Sequence, residues 1–206
     1  MIIHTLIYTS LTLCAKWPLP ERKGSCAVVF DAGYLKSRNY SNDIDSHDSI
    51  WRINARPVHD SLGSRTDVMV VQFASENPAK RIALNNIWNA STIVTFSTDF
   101  NTPGKYRSLC NSTSTQWYYV PREKSTTCSN MMKKKCSSGM LSTNLAIKLC
   151  DTVSVYGGRS DEEPCYPYRL TADTAPNNKC KHHTLRDHDL MREHKFYKAL
   201  DYFRVY

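Results

Sequence analysis

No stretch at the start of this 206-residue chain is apolar for long enough to cross a bilayer comfortably. Ile2 to Ala15 is the nearest approach, but it contains His4 and several threonines and has no basic segment ahead of it. A weak signal segment and a packed N-terminal element are both open readings. Heptads, internal repeats and low-complexity tracts are also missing, which excludes coiled-coil, solenoid and fibrous architectures. No Cys-x-x-Cys pair occurs, and the nearest Cys/His grouping (Cys165, Cys180, His182, His183) lacks finger spacing, so no metal site is expected. The eight cysteines point to oxidation instead, and sequons at Asn39, Asn89 and Asn111 are compatible with a secretory route.

What is present describes one ordinary globular domain. Hydrophobic residues make up 41%, which rules out disorder at this length. The net charge of +8 suits an anionic partner, but the basic residues are scattered and the one tight run is Lys133 to Lys135. No nucleic-acid motif accompanies it, so no nucleic-acid partner is expected and a solvated turn before Cys136 is the plain reading.

Cys26 to Phe30 is a continuous apolar run suited to a strand buried on both faces. Asp31 to Gly33 breaks it, Tyr34 to Tyr40 predicts a short helix, and Ile44 to Pro57 reads as a second strand-like segment ended by proline. Strands follow at Val68–Phe73, Ser91–Phe96, Trp117–Val120 and Val153–Tyr156, with a helix at Ala79–Trp88, a turn at Asn101–Gly104 and a helix between Ser137 and Cys150. Asp161 to Lys181 reads as a loop, and Asp187 to Tyr206 as a helix with a possible last strand at Phe203–Tyr206. Strands alternating with helices predict an α/β protein with a parallel sheet, its ligand lying outside the carboxyl end of the first strand.

Four blocks carry a resemblance. Cys26-Ala-Val-Val with Asp45-Ser-His-Asp48 and Arg52-Ile-Asn54 is similar to the large sialylmotif of the animal-type sialyltransferases, and Ser137-Ser-Gly-Met-Leu141 with Leu149-Cys-Asp151 and Tyr156-Gly157 to the small one. Gly63-Ser-Arg-Thr66 and His188-Asp-Leu-Met-Arg-Glu193 resemble two further pieces of that family, in the same order. The resemblance implies a single-domain Rossmann-like sheet flanked by helices, a variant of the GT-A glycosyltransferase fold. Residues 1–24 would form an N-terminal segment, a possible signal or stem remnant, and 25–206 the catalytic domain. It further implies an inverting, metal-independent transfer of sialic acid from CMP-sialic acid to a galactose or N-acetylgalactosamine end of a glycoprotein or glycolipid glycan. CMP-sialic acid is then a donor substrate, and no cofactor is needed. The setting would be the Golgi lumen or secretory pathway, where family members carry a membrane anchor that is not evident in this chain.

Residue by residue, the resemblance makes His188 the general base, and imidazole suits that task near neutral pH. On one helix His188 and Glu193 would sit about 140° apart, so His188 is expected just before the helix, with Asp189 as its cap and Glu193 inside as support. Asp31, Gly33, Asn54, Ser137, Ser138, Gly139 and Arg169 become donor-binding candidates, and Cys26–Cys150 a disulfide; Cys165–Cys180 is a plausible second bridge. Asp45, His47, Asp48 and Arg52 are read as structural, and Asp43-Ile-Asp45 as no metal motif. Two departures stand out: Phe30-Asp31-Ala32-Gly33 replaces the family's Gly-Asn-Ser-Gly, and Tyr166 to Leu170 replaces its third motif, with Arg169 at the histidine. They support a second reading, a weak or inactive sialyltransferase-like protein that binds glycan or nucleotide.

Overall fold

In a computed structural model of the chain, the described residues are 14–16, 23–30, 32, 34–35, 38–53, 60–72, 90–96, 115–120, 128–158, 188–199 and 203–205. Asp31, Gly33, Asn54, Arg169, Asn89, Asn111, the Cys165–Cys180 pair, the 79–88 helix, the 101–104 turn and the 161–181 loop lie outside them.

The strands are β1 (Cys14–Lys16), β2 (Lys23–Val29), β3 (Ser49–Ile53), β4 (Val68–Gln72), β5 (Thr92–Phe96), β6 (Gln116–Val120), β7 (Cys150–Tyr156) and β8 (Phe203–Val205). They form one eight-stranded sheet in the order β1-β6-β5-β4-β3-β2-β7-β8, and every ladder is parallel. From β2 the chain steps outward through β3, β4, β5 and β6, then returns to place β7 on the other side of β2. That reversal makes the carboxyl ends of β2 and β7 the switch point at which open α/β sheets bind ligands.

Burial on both faces explains the unbroken apolar run of β2. Cys26, Val28 and Phe30 face one core with Trp51, Val70, Val94 and Val155, covered by Met140, Leu145 and Leu149 of α2 (Ser138–Leu149). Ala27 and Val29 face the other with Ile50 and Tyr156, covered by Leu35, Leu62 and Ile44 of α1 (Ser41–Asp45). Each fully buried aliphatic side chain contributes about 1.5–3 kcal/mol. α2 leads straight into β7, so its amino end stands at the carboxyl edge of the sheet. α3 (Leu190–Lys198) returns to that same edge.

Local chemistry moved three boundaries. Of the expected helix over 34–40, residues 34–35 form a turn and 38–40 are not helical, and helix forms at 41–45, where the expected second strand had begun. There Asn39 Oδ1 accepts from the Ser41 N–H and hydroxyl, Tyr40 O accepts from Ile44 N–H, and Ile44 alone is buried. Strand β3 starts only at Ser49. The terminal helix stops at Lys198, and residues 203–205 pair with β7 as an edge strand. Among the described residues, no helix is long and apolar enough to cross a membrane.

Candidate active site

The carboxyl ends of β2 and β7, the start of α2 and the start of α3 meet at one edge. The Phe30 ring, 7% exposed, lies against the backbone of Gly139 and meets Tyr197 edge-on at a centroid distance of 6.1 Å. A Cβ on Gly139 would stand 2.5 Å from Phe30 Cε2 and 2.6 Å from its Cζ. Inside a helix alanine is ordinarily favoured over glycine by about 1 kcal/mol, whereas overpacking a filled core costs about 1–3 kcal/mol. Phe30 is walled in, so the overpacking dominates. Gly139→Ala should therefore destabilise the fold in urea, and pairing it with Phe30→Leu should recover part of the loss. A Gly139→Ala protein as stable as wild type would mean the ring gives way freely.

Ser137 caps α2 with its hydroxyl, which accepts from Met140 N–H at 3.0 Å. Its own N–H and hydroxyl donate to the two carboxylate oxygens of Glu193, at 2.8 and 2.6 Å. The negative charge that a helix start attracts is thus provided from within, by α3. Glu193 is 2% exposed, and burial pushes its carboxyl above the ordinary glutamate value of 4.5, outweighing the hydrogen bonds from Ser137 and the attraction of His188.

The sign of the resulting pH dependence follows. Between 4.5 and the raised value, the folded protein holds a proton that the unfolded chain has lost, so stability declines as pH rises through that window. Wild type should therefore gain stability relative to Glu193→Gln as pH falls through the raised value toward 4.5. Glu193→Ala, which strands the buried Ser137 N–H, should cost about 1–3 kcal/mol. Urea unfolding of the three proteins across pH is the measurement, and a wild type that loses ground to the glutamine variant on acidification would contradict the account.

His188 precedes α3, and Asp189 Oδ1 caps that helix by accepting from Arg192 N–H at 3.0 Å. His188 Nδ1 is 2.7 Å from the carbonyl of Lys135, two residues before Ser137. A carbonyl only accepts, so Nδ1 carries the hydrogen and Nε2 keeps the lone pair. Deeper along α3, His194 Nδ1 donates to Gly158 O at 3.2 Å, tethering the helix to the end of β7. Imidazole, capping serine and buried carboxylate therefore form one connected unit at the switch-point edge. A second bridge, Cys128–Cys136, closes the loop just ahead of it, a pairing that cysteine spacing left unassigned.

The opposite, amino edge of the sheet explains the remaining motif residues. Asp45 accepts from Ser64 N–H and Arg65 N–H at 2.8 and 3.2 Å. Burial would raise its carboxyl, but these donors hold it below the usual aspartate range. Asp48 accepts from the N–H and hydroxyl of Ser25 at 2.7 and 2.8 Å. Arg52, 6% exposed, donates to the carbonyls of Arg65 and Leu62 and to the Thr66 hydroxyl. Gly63 has φ +76° and packs directly on the Asp45 carboxylate, a place for no other residue. Asp43 accepts from the Tyr156 hydroxyl at 2.6 Å, so the carboxylates of Asp43 and Asp45 serve different partners. Gly63 to Thr66 and Asp45 to Arg52 are thus one scaffold, away from the imidazole. Cys26 and Cys150 are bridged across neighbouring strands with Cα atoms 6.0 Å apart.

Comparison with known proteins agrees with this layout. The family Glycosyltransferase family 29 (sialyltransferase) matches residues 3–102. Beta-galactoside alpha-2,6-sialyltransferase 1 of Homo sapiens is 23% identical over 199 residues, which cover 82% of this chain and 49% of that protein. CMP-N-acetylneuraminate-beta-galactosamide-alpha-2,3-sialyltransferase 1 of Gallus gallus is 29% identical over 167 residues, covering 71% and 48%. The chain thus spans about half the length of these relatives. A mammalian sialyltransferase solved in complex with Gal-beta-1-3GalNAc-ortho-nitrophenol shares the fold with a TM-score of 0.65 at 18% identity, over 89% of this chain and 69% of that one. With the four motif blocks in order on that fold, the chain is similar to the sialyltransferases of glycosyltransferase family 29.

Proposed function

We propose that this protein transfers sialic acid from CMP-sialic acid to a galactose or N-acetylgalactosamine terminus of a glycan, with inversion at the anomeric carbon. The observation that carries the reading is the carbonyl of Lys135, two residues before the cap of α2, on His188 Nδ1, which leaves Nε2 as the base. In the reaction, Nε2 takes the proton of the acceptor hydroxyl. The freed oxygen forms a bond to the anomeric carbon from the face opposite the departing CMP, and the bond to CMP breaks with its electron pair leaving on the phosphate. Ser138 and Gly139 at the head of α2, with Asp31, Gly33, Asn54 and Arg169 outside the described residues, are the donor-side candidates. Ser137 acts there through position, because Glu193 engages both its N–H and its hydroxyl. No step is assigned to a metal ion.

The two disulfides among the described residues support an oxidising, secretory setting. Residues 1–24 are proposed as a segment outside the catalytic domain proper, although 14–16 add an edge strand and 23–24 open β2. One observation favours the second reading, of a weak or inactive relative: the Phe30 ring is packed against Gly139 at the head of α2, where a donor would approach. A radiolabelled transfer assay with CMP-sialic acid and a panel of galactose- and N-acetylgalactosamine-ended acceptors, run beside calorimetry with CMP, decides. Turnover supports the transferase; CMP binding without turnover, or no CMP binding, supports the inactive relative.

A further inference from the structure

One surface is used neither by the fold nor by the chemistry above. Lys133, Lys134 and Lys135 are all exposed, and none of their ammonium groups is paired with a carboxylate among the described residues. They sit on a loop closed by the Cys128–Cys136 bridge and further held by Cys136 N–H donating to the Ser129 hydroxyl at 3.4 Å. Lys133 itself is left-handed, φ +56°, at a position where glycine would be unstrained. Three like charges on a constrained loop repel one another, so the array gains when an anion joins it.

The loop is also tied to the candidate base. Its last lysine provides the carbonyl that holds His188, and the helix after His188 is basic on its exposed side, with Arg192, Lys195 and Lys198. The two large apolar side chains exposed among the described residues belong to these same segments, Met131 at 46% and Met191 at 58%. Flexible thioethers suit contact with the C–H faces of a sugar ring, as lysines suit its acidic substituent.

We propose that the Lys133–Lys135 loop and the first turn of α3 recognise an anionic oligosaccharide, holding an acidic group of a glycan whose hydroxyl is presented to His188. Calling that glycan the acceptor rests on the transferase reading; the anion-binding surface does not. Two isolated methionines are too little apolar surface for a membrane anchor, and the basic cluster is short for one.

The test compares a galactose-ended disaccharide with the same disaccharide bearing one sulfate on its inner sugar, using wild type and Lys133→Gln/Lys134→Gln, which leaves Lys135 in place. The substitutions are exposed, and circular dichroism checks that the fold is retained. The sulfated sugar should bind wild type more tightly by calorimetry, and the double variant should weaken it about tenfold while leaving the neutral sugar within about twofold. Raising salt to about 0.5 M should erase the difference between the proteins. If the protein turns over, KM for the sulfated acceptor moves by the same factor and kcat does not. Lysine-dependent binding without turnover upholds the surface and removes the transferase reading. Equal effects on both sugars, no preference for the sulfated one, or lysine-dependent binding to phosphatidylserine vesicles in its place would overturn the proposal.

Discussion

On the proposed transferase role, replacing His188 with alanine should lower kcat for sialyl transfer by about 10²–10⁴, with little change in the affinity for CMP. The size follows from the role, since without an acceptor for its proton the sugar hydroxyl is a poor nucleophile. The specificity follows from how the ring is held. His188 is half-buried and makes one hydrogen bond among the described residues, to Lys135 O, so losing that bond should cost about 0.5–1.5 kcal/mol of stability. The helix behind it stays tied through Glu193 to Ser137 and through His194 to Gly158. His194→Ala is the matching control. That ring is 5% exposed and bonded to the end of β7, so its loss should lower the melting temperature more than kcat. Equal turnover by wild type and His188→Ala would refute the assignment of the base. A kcat loss tracking melting temperature across both variants would reduce it to a structural effect.

Removing the Cys26–Cys150 bridge by the double alanine substitution should cost about 4–5 kcal/mol on the chain-entropy account, because its ends are 124 residues apart. Opening Cys128–Cys136, whose ends are 8 residues apart, should cost about 2–3 kcal/mol on the same account. The longer loop encloses β3 to β6 and α2, the whole excursion between the two strands that flank the switch point. A loss of that size is a large share of a domain's typical 5–15 kcal/mol, and corresponds to a fall in melting temperature on the order of 10–15 °C. Scanning calorimetry of the two double variants under identical conditions measures the difference. If the short-loop variant fell further than the long-loop one, loop entropy would not be what the Cys26–Cys150 bridge contributes.

Much of the architecture was legible along the chain, and for identifiable reasons. β2, β4, β5, β6 and β7 announce themselves as short apolar runs because a parallel sheet covered on both faces needs no alternation. Asp189 could be read as a cap because a short acid before a helical run has few better uses. The second strand was misplaced because Ile44 looks strand-like beside Ile50 and Trp51. Only the turn made by Asn39 and Tyr40 shows that Ile44 is the single buried contact of a helix. Motif order could list His188, Glu193 and Ser137, but not that the last two are partners. Their bond spans 56 positions and depends on α3 returning to the head of α2.

By itself the chain determined its class, most of its strands and the family its blocks resemble, because hydrophobic pattern and short motifs are local properties. The tertiary structure alone decided which nitrogen of His188 faces the Lys135 carbonyl, that Ser137 donates to Glu193, that Phe30 packs on Gly139, and that Cys128 bonds to Cys136. Each of these depends on a backbone carbonyl, a bare Cα or a neighbour brought close by folding. Such features have no residue letter of their own.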